Sequence, residues 1–147
     1  MGNKSQELET SCKNNKITEL DNLPPTIEEL CCGKNKIKRL NNLPMGLIKL
    51  RCENNEIKQL KFLPPNLDTL ECYENYIEEL VKFPASLGVL CCSNNPIKIL
   101  KNLPADLDTL IIENTCIERL ENIPKHLAFL NCNNTDTLKY IGKLPKT

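Results

Sequence analysis

Residues 30–44 read LCCGKNKIKRLNNLP, and residues 50–64 read LRCENNEIKQLKFLP, so that Leu, Cys, Asn, Ile, Leu, Leu and Pro recur twenty residues apart. A fixed period of this length is the signature of a stacked-repeat architecture, in which each unit cannot bury its apolar face alone. The period holds without drift on both sides of this stretch. Leu30, Leu50, Leu70, Leu90, Leu110 and Leu130 form one column, Leu20 through Leu120 a second, and Ile17 through Ile117 a third. Pro24, Pro44, Pro64, Pro84, Pro104 and Pro124 each follow an apolar residue, and Ile27, Leu47, Leu67, Leu87, Leu107 and Leu127 come three places later. Leu138, Ile141, Leu144 and Pro145 recover the pattern one residue late, which implies a single insertion between Cys132 and Leu138.

The segment Leu30-Cys31-Cys32-Gly33 alternates inward and outward side chains, as a short strand does. A strand of this length needs a partner, and its equivalent in the next unit supplies one at about 4.8 Å, so the strands stack into one parallel sheet. Asn15, Asn35, Asn55, Asn75 and Asn95 follow the inward Cys by three residues, where the strand turns. A buried amide there donates to and accepts from backbone groups of the neighbouring turn that would otherwise be orphaned. Thr115 and Thr135 replace Asn in the last units, and a hydroxyl offers fewer bonds, which predicts looser stacking at the C-terminal end. The return limb carries Pro in every unit, which predicts an extended or polyproline-like path with little helix.

Written out, the unit is L-x-x-L-x-C-x-x-N-x-I-x-x-L-x-x-L-P-x-x, and in this it resembles the leucine-rich repeat family. The resemblance is to the short, twenty-residue Leu-Pro variety of bacterial effector proteins, also similar to repeat proteins of giant DNA viruses, and it runs from about Ser11 to Pro145. It implies a solenoid of the right-handed β/α-superhelix class with one curved parallel sheet on its concave face. It divides the chain into a short N-terminal cap, 1–10, and a repeat domain, 11–147, of about seven units.

Cys12, Cys32, Cys52, Cys72, Cys92 and Cys132 share one inward column, with Ile112 at the same place in the sixth unit. A site that takes Cys and Ile alike reads as a small buried hydrophobe, and thiols stacked in parallel have poor torsional geometry for disulfides. Metal binding would need C-x-x-C pairs or several His, whereas the chain offers the adjacent pairs Cys31-Cys32 and Cys91-Cys92 and one histidine, His126. The expectation is free thiols in a reducing compartment, no metal and no cofactor. Cys31 and Cys91 are expected on the exposed concave face and Cys116 near a turn.

Nineteen basic residues balance nineteen acidic ones, so no overall field draws the chain to nucleic acid or a membrane. The sequence has no long apolar run and no signal-peptide pattern, which predicts a cytoplasmic protein, host cytoplasm included. Gly2 nearly fits an N-myristoylation signal, but Gln6 stands where Ser or Thr belongs. The sequence has no phosphate-binding loop, no H-E-x-x-H and no nucleophile elbow, and His126 lies on the return limb after Pro124, where it is expected on the surface and far from an acid or thiol partner; the expectation is a protein that is not an enzyme.

What varies between units is the outward set of the strand. Its first half is charged, and its second half carries Val89, Cys91, Ile111 and Phe129 beside Tyr73. An apolar centre rimmed by Arg51, Glu71 and Glu113 has the composition of a protein-binding surface. The concave cations Lys49 and Arg51 are interspersed with Glu, which argues against nucleic acid on this face. The function expected is a protein-interaction module acting through this face. Self-association, as a homodimer or an assembly component, is the alternative.

Overall fold

The computed structural model describes residues 9–145. Gly2, Leu8 and most of the cap expected over 1–10 lie outside the described residues.

Seven short strands fall one per unit: β1 (Glu9–Ser11), β2 (Glu29–Cys31), β3 (Lys49–Arg51), β4 (Thr69–Glu71), β6 (Val89–Cys91), β8 (Thr109–Ile111) and β10 (Phe129–Asn131). They form one parallel sheet in the order β1-β2-β3-β4-β6-β8-β10. The register repeats without slip, Leu30 opposite Leu50, Leu50 opposite Leu70, Leu90 opposite Leu110. Beneath it lies one continuous core in which Leu30, Leu50, Leu70, Leu90 and Leu110, with Ile37, Ile57, Ile77 and Ile97, are wholly buried.

The turn after each strand is closed by the Asn column. Asn55 Nδ2 donates to Cys32 O and Cys52 O, both at 3.1 Å, and to Glu53 O at 3.2 Å, while its Oδ1 accepts from Ile37 N at 2.9 Å. Asn35, Asn75 and Asn95 repeat this pattern, so each amide ties its own turn to the preceding one. Thr115 donates only within its own unit, to Ile112 O at 3.0 Å. The backbone before each amide sits in the left-handed region. Asn occupies it at 14, 54, 94, 114 and 134, but Lys34 is there with φ 54° and Glu74 with φ 55°. A lysine pays a steric cost there that Asn largely avoids. Lys34→Asn is therefore expected to stabilise the chain by about 0.5–1 kcal/mol, read as a raised urea midpoint; an unchanged or lowered midpoint would refute the strain.

The proline column is explained by a second turn. Leu47 N donates to Pro44 O at 3.1 Å, and Leu67, Leu87, Leu107 and Leu127 do the same to Pro64, Pro84, Pro104 and Pro124 at 3.2 Å. The limb between is extended, and no helix occurs among the described residues. The limb does carry two additional ladders, β5 (Glu79–Leu80) with β7 (Ile99–Leu100) and β9 (Arg119–Leu120) with β11 (Tyr140–Ile141). In the second, Ile141 faces Leu120, one residue beyond the twenty-residue step, which locates the late insertion.

The two end layers are less covered than the middle. Cys12, Ile17, Leu20 and Leu23 at one end and Leu130, Cys132 and Leu138 at the other are partly buried. Tyr140, Ile141 and Leu144 are exposed.

Candidate functional site

The concave face has three columns of outward side chains in each unit. In the N-terminal half the charges satisfy one another. Lys49 pairs with Glu29, and Arg51 lies 3.6 Å from Glu29 Oε2 and 3.3 Å from Glu71 Oε1. Arg51 Nη1 also reaches Cys31 Sγ at 3.6 Å, and Cys31 Sγ lies 3.6 Å from Glu9 Oε1. Cys31 is thereby covered and only 3% exposed, which corrects the expectation of an exposed thiol. The alternation of the strand does turn its side chain outward, but the long side chains of the flanking units close over it.

Gly33 and Glu53 were missed by the same reasoning. Glu53 follows the strand in an outward column, where a carboxylate is ordinarily solvated, yet it is 5% exposed. Its carboxylate lies over Gly33, where an added Cβ would come within 2.2 Å of Oε1. From there it meets Lys13 Nζ at 3.1 Å, spanning the side-chain-free unit between them. A glycine between a lysine and a glutamate in one outward column was the signal for this clasp.

The C-terminal half is different in kind. Val89, Cys91 and Ile111 are half-buried neighbours on β6 and β8, with Cys91 directly opposite Ile111. Phe129 is 50% exposed and sits diagonally across from Ile111, opposite Thr109. The strip is thus interrupted by Thr109, which stands between Val89 and Phe129. The Thr109 hydroxyl donates to Asp108 Oδ2 at 3.0 Å. Glu71 faces Cys91 on one side of the strip. Glu113 Oε1 accepts from Asn131 Nδ2 at 2.7 Å, and the Glu113 backbone N–H donates to Ser93 Oγ at 3.1 Å. Tyr73 stands half-buried at the border, its phenol pKa raised first by burial and then by Glu53 and Glu71. Burial also raises the Cys91 thiol, so it is held protonated rather than as a nucleophilic thiolate.

The inward cysteines are a separate feature. Cys32, Cys52, Cys72 and Cys92 are completely buried in a continuous column. Burial pushes the Cys32 thiol up to about 12 and raises Cys52, Cys72 and Cys92 well above the ordinary range. All nine cysteines are unpaired. No group of three His, Cys, Asp or Glu among the described residues has metal-binding geometry. Cys116 is half-buried and His126 is exposed on the return limb.

Solved structures with this architecture include YopM from Yersinia enterocolitica WA-314, at 31% identity over 92% of this chain and 30% of that one, with a TM-score of 0.87. The functional domain of InlJ from Listeria monocytogenes, whose description includes a cysteine ladder, matches at 28% identity over 89% of this chain and 31% of that one, with a TM-score of 0.78. A Shigella effector leucine-rich-repeat domain matches at 27% identity over 78% of this chain and 61% of that one, with a TM-score of 0.66. The chain spans under a third of the length of the first two. No family model matches it, and no curated protein does.

Proposed function

From the premise that the chain is a leucine-rich-repeat solenoid similar to those of bacterial effectors, a fold that generally mediates protein–protein interaction, we propose that it binds a partner protein on the C-terminal half of its concave sheet. The observation that carries this reading is the contrast between the two halves. The N-terminal half engages its charges internally, whereas Val89, Cys91, Ile111 and Phe129 keep apolar surface open to solvent. Phe129 and Ile111 are the anchors, Val89 and Cys91 the floor, and Tyr73 the amphipathic edge. Arg51, Glu71 and Glu113 rim the patch, where they set orientation more than affinity. The reading is non-enzymatic and needs neither metal nor cofactor. The effector descriptions of the neighbours extend it to a host cytoplasm, whose reducing conditions suit nine unpaired thiols.

The test compares wild type with Ile111→Glu/Phe129→Glu. A partner captured by wild type is expected to bind the double variant at least about 100-fold more weakly in calorimetry, since two central anchors are each worth about 2 kcal/mol or more. Equal binding would remove the concave strip from the function. Self-assembly is the second reading, supported by Tyr140, Ile141 and Leu144 exposed at the last layer. Light scattering separates the two: an oligomer abolished by the concave charges assigns the strip to self-association, one that survives them assigns the end layer, and a monomer leaves the strip to a foreign partner.

A further inference from the structure

A second surface lies away from the concave sheet, on the limb that leaves the Asn ladder. A groove of about 960 Å³ there has Lys38, Arg39, Lys58 and Lys61 in its walls together with Phe62 and Tyr76, and Glu56 as the one acidic residue against these four cations. Phe62 is 84% and Tyr76 56% exposed. Among the described residues Lys38 has one ion pair, a 3.9 Å contact with Glu56, while Arg39, Lys58 and Lys61 have none.

The fold does not ask for these residues. At the position of Phe62, four other units carry Asn22, Asn42, Asn102 and Asn122, all with left-handed backbone. At the positions of Lys58 and Lys61, other units carry Glu78 or Glu118 and Glu121. The charge is also bounded. Taking the same three limb positions, the first unit has Glu19 and Asp21, the second Lys38 and Arg39, the third Lys58 and Lys61, and the fourth Glu78 and Glu79. A positive band two strand spacings wide, about 10 Å, is therefore fenced by acidic residues on both sides.

We propose that this groove docks a short acidic segment of a partner protein, with two or more carboxylates set within a few residues of an aromatic or large aliphatic side chain. The carboxylates meet the four cations, and the apolar side chain packs against Phe62 and Tyr76. An extended peptide advances about 3.3 Å per residue, so about three residues cross the band before reaching the fence. A nucleic acid strand, with a phosphate at every nucleotide, would carry its charge into Glu78 and Glu79 or Glu19 and Asp21, which is why a peptide of limited negative length fits better.

The test selects random twelve-residue peptides displayed on phage against the Ile111→Glu/Phe129→Glu protein, whose concave strip is already disabled. The enriched peptides are expected to be acidic with a nearby aromatic or aliphatic residue, and to lose affinity as salt is raised. The triple variant Lys58→Glu/Lys61→Glu/Phe62→Asn uses residues that other units already carry and is expected to keep the wild-type circular dichroism and weaken the best peptide about tenfold or more. Enrichment of neutral or basic peptides, no enrichment, or binding unaffected by the triple variant overturns the proposal. Tighter binding of a twelve-nucleotide oligothymidylate than of the best peptide, measured by anisotropy, overturns it in favour of nucleic acid.

Discussion

Asn75→Ala is expected to destabilise the chain by about 3–5 kcal/mol, enough to remove a large part of its folding free energy. The amide donates to Cys52 O and Cys72 O at 3.0 and 3.1 Å and to Tyr73 O at 3.3 Å, and accepts from Ile57 N at 2.9 Å. Each bond contributes about 1 kcal/mol net, and the larger loss comes from burying backbone groups with no partner, at about 1–3 kcal/mol apiece. The site is 5% exposed and in the middle of the stack, so water cannot substitute without opening the turn. Urea unfolding monitored by circular dichroism gives the value. A loss below about 1 kcal/mol would mean that the sheet register, rather than the amide ladder, holds neighbouring units together. The chain contains its own milder comparison in Thr115, whose single bond to Ile112 O makes no side-chain tie to the preceding unit, which backbone bonds such as Cys116 N to Ile97 O still hold.

The second large effect is an alkaline collapse of stability. Cys32, Cys52, Cys72 and Cys92 are fully buried and hold their protons in the fold, whereas in the unfolded chain a thiol ionises near its ordinary value of 9.0. A folded pKa above the unfolded one contributes stability that is complete below the unfolded value and is lost as the pH rises past it. Above pH 9 the unfolded chain therefore sheds four more protons than the folded one, and stability is expected to fall at a slope approaching about 5 kcal/mol per pH unit. The window opens near 9 and extends toward the value of about 12 to which Cys32 is raised. Urea titrations under reducing conditions at successive pH values measure the slope. Cys52→Ala/Cys72→Ala is expected to halve the thiol contribution even though it lowers stability at neutral pH. An unchanged slope in that variant would assign the alkaline loss to lysine and tyrosine instead.

Inward positions were legible in the sequence because a twenty-residue period fixes which side chains face the core, and the Leu, Ile and Cys columns are buried in the interior units. The Asn ladder followed from the need to satisfy turn backbone. What was not legible is burial on the concave face. Cys31 and Glu53 are covered by side chains from one and two units away, and the reach of a lysine or arginine is not written in the alternation of a strand. The Asn residues at 22, 42, 102 and 122 were also overlooked, although their recurrence before Leu-Pro or Ile-Pro marks a left-handed turn and makes Phe62 conspicuous. Which outward residues meet a partner depends on that partner's surface, so the concave strip and the limb groove are separated by variants rather than by pattern.

The bonds of the Asn ladder reach back 18 or 23 residues and the sheet pairs at 20, so every tie made by the ladder or the sheet is local to the neighbouring unit, and the Lys13–Glu53 pair, which spans two, lies near the N-terminal end. At the level of the gene, an in-frame duplication or deletion of one unit's coding length in the middle of the chain leaves each such tie intact. Recombination can therefore lengthen, shorten or reshuffle the concave columns without disturbing the core. The 21-residue step that pairs Ile141 with Leu120 breaks this interchangeability, so exchange of coding segments should succeed in the central units and fail across the last one.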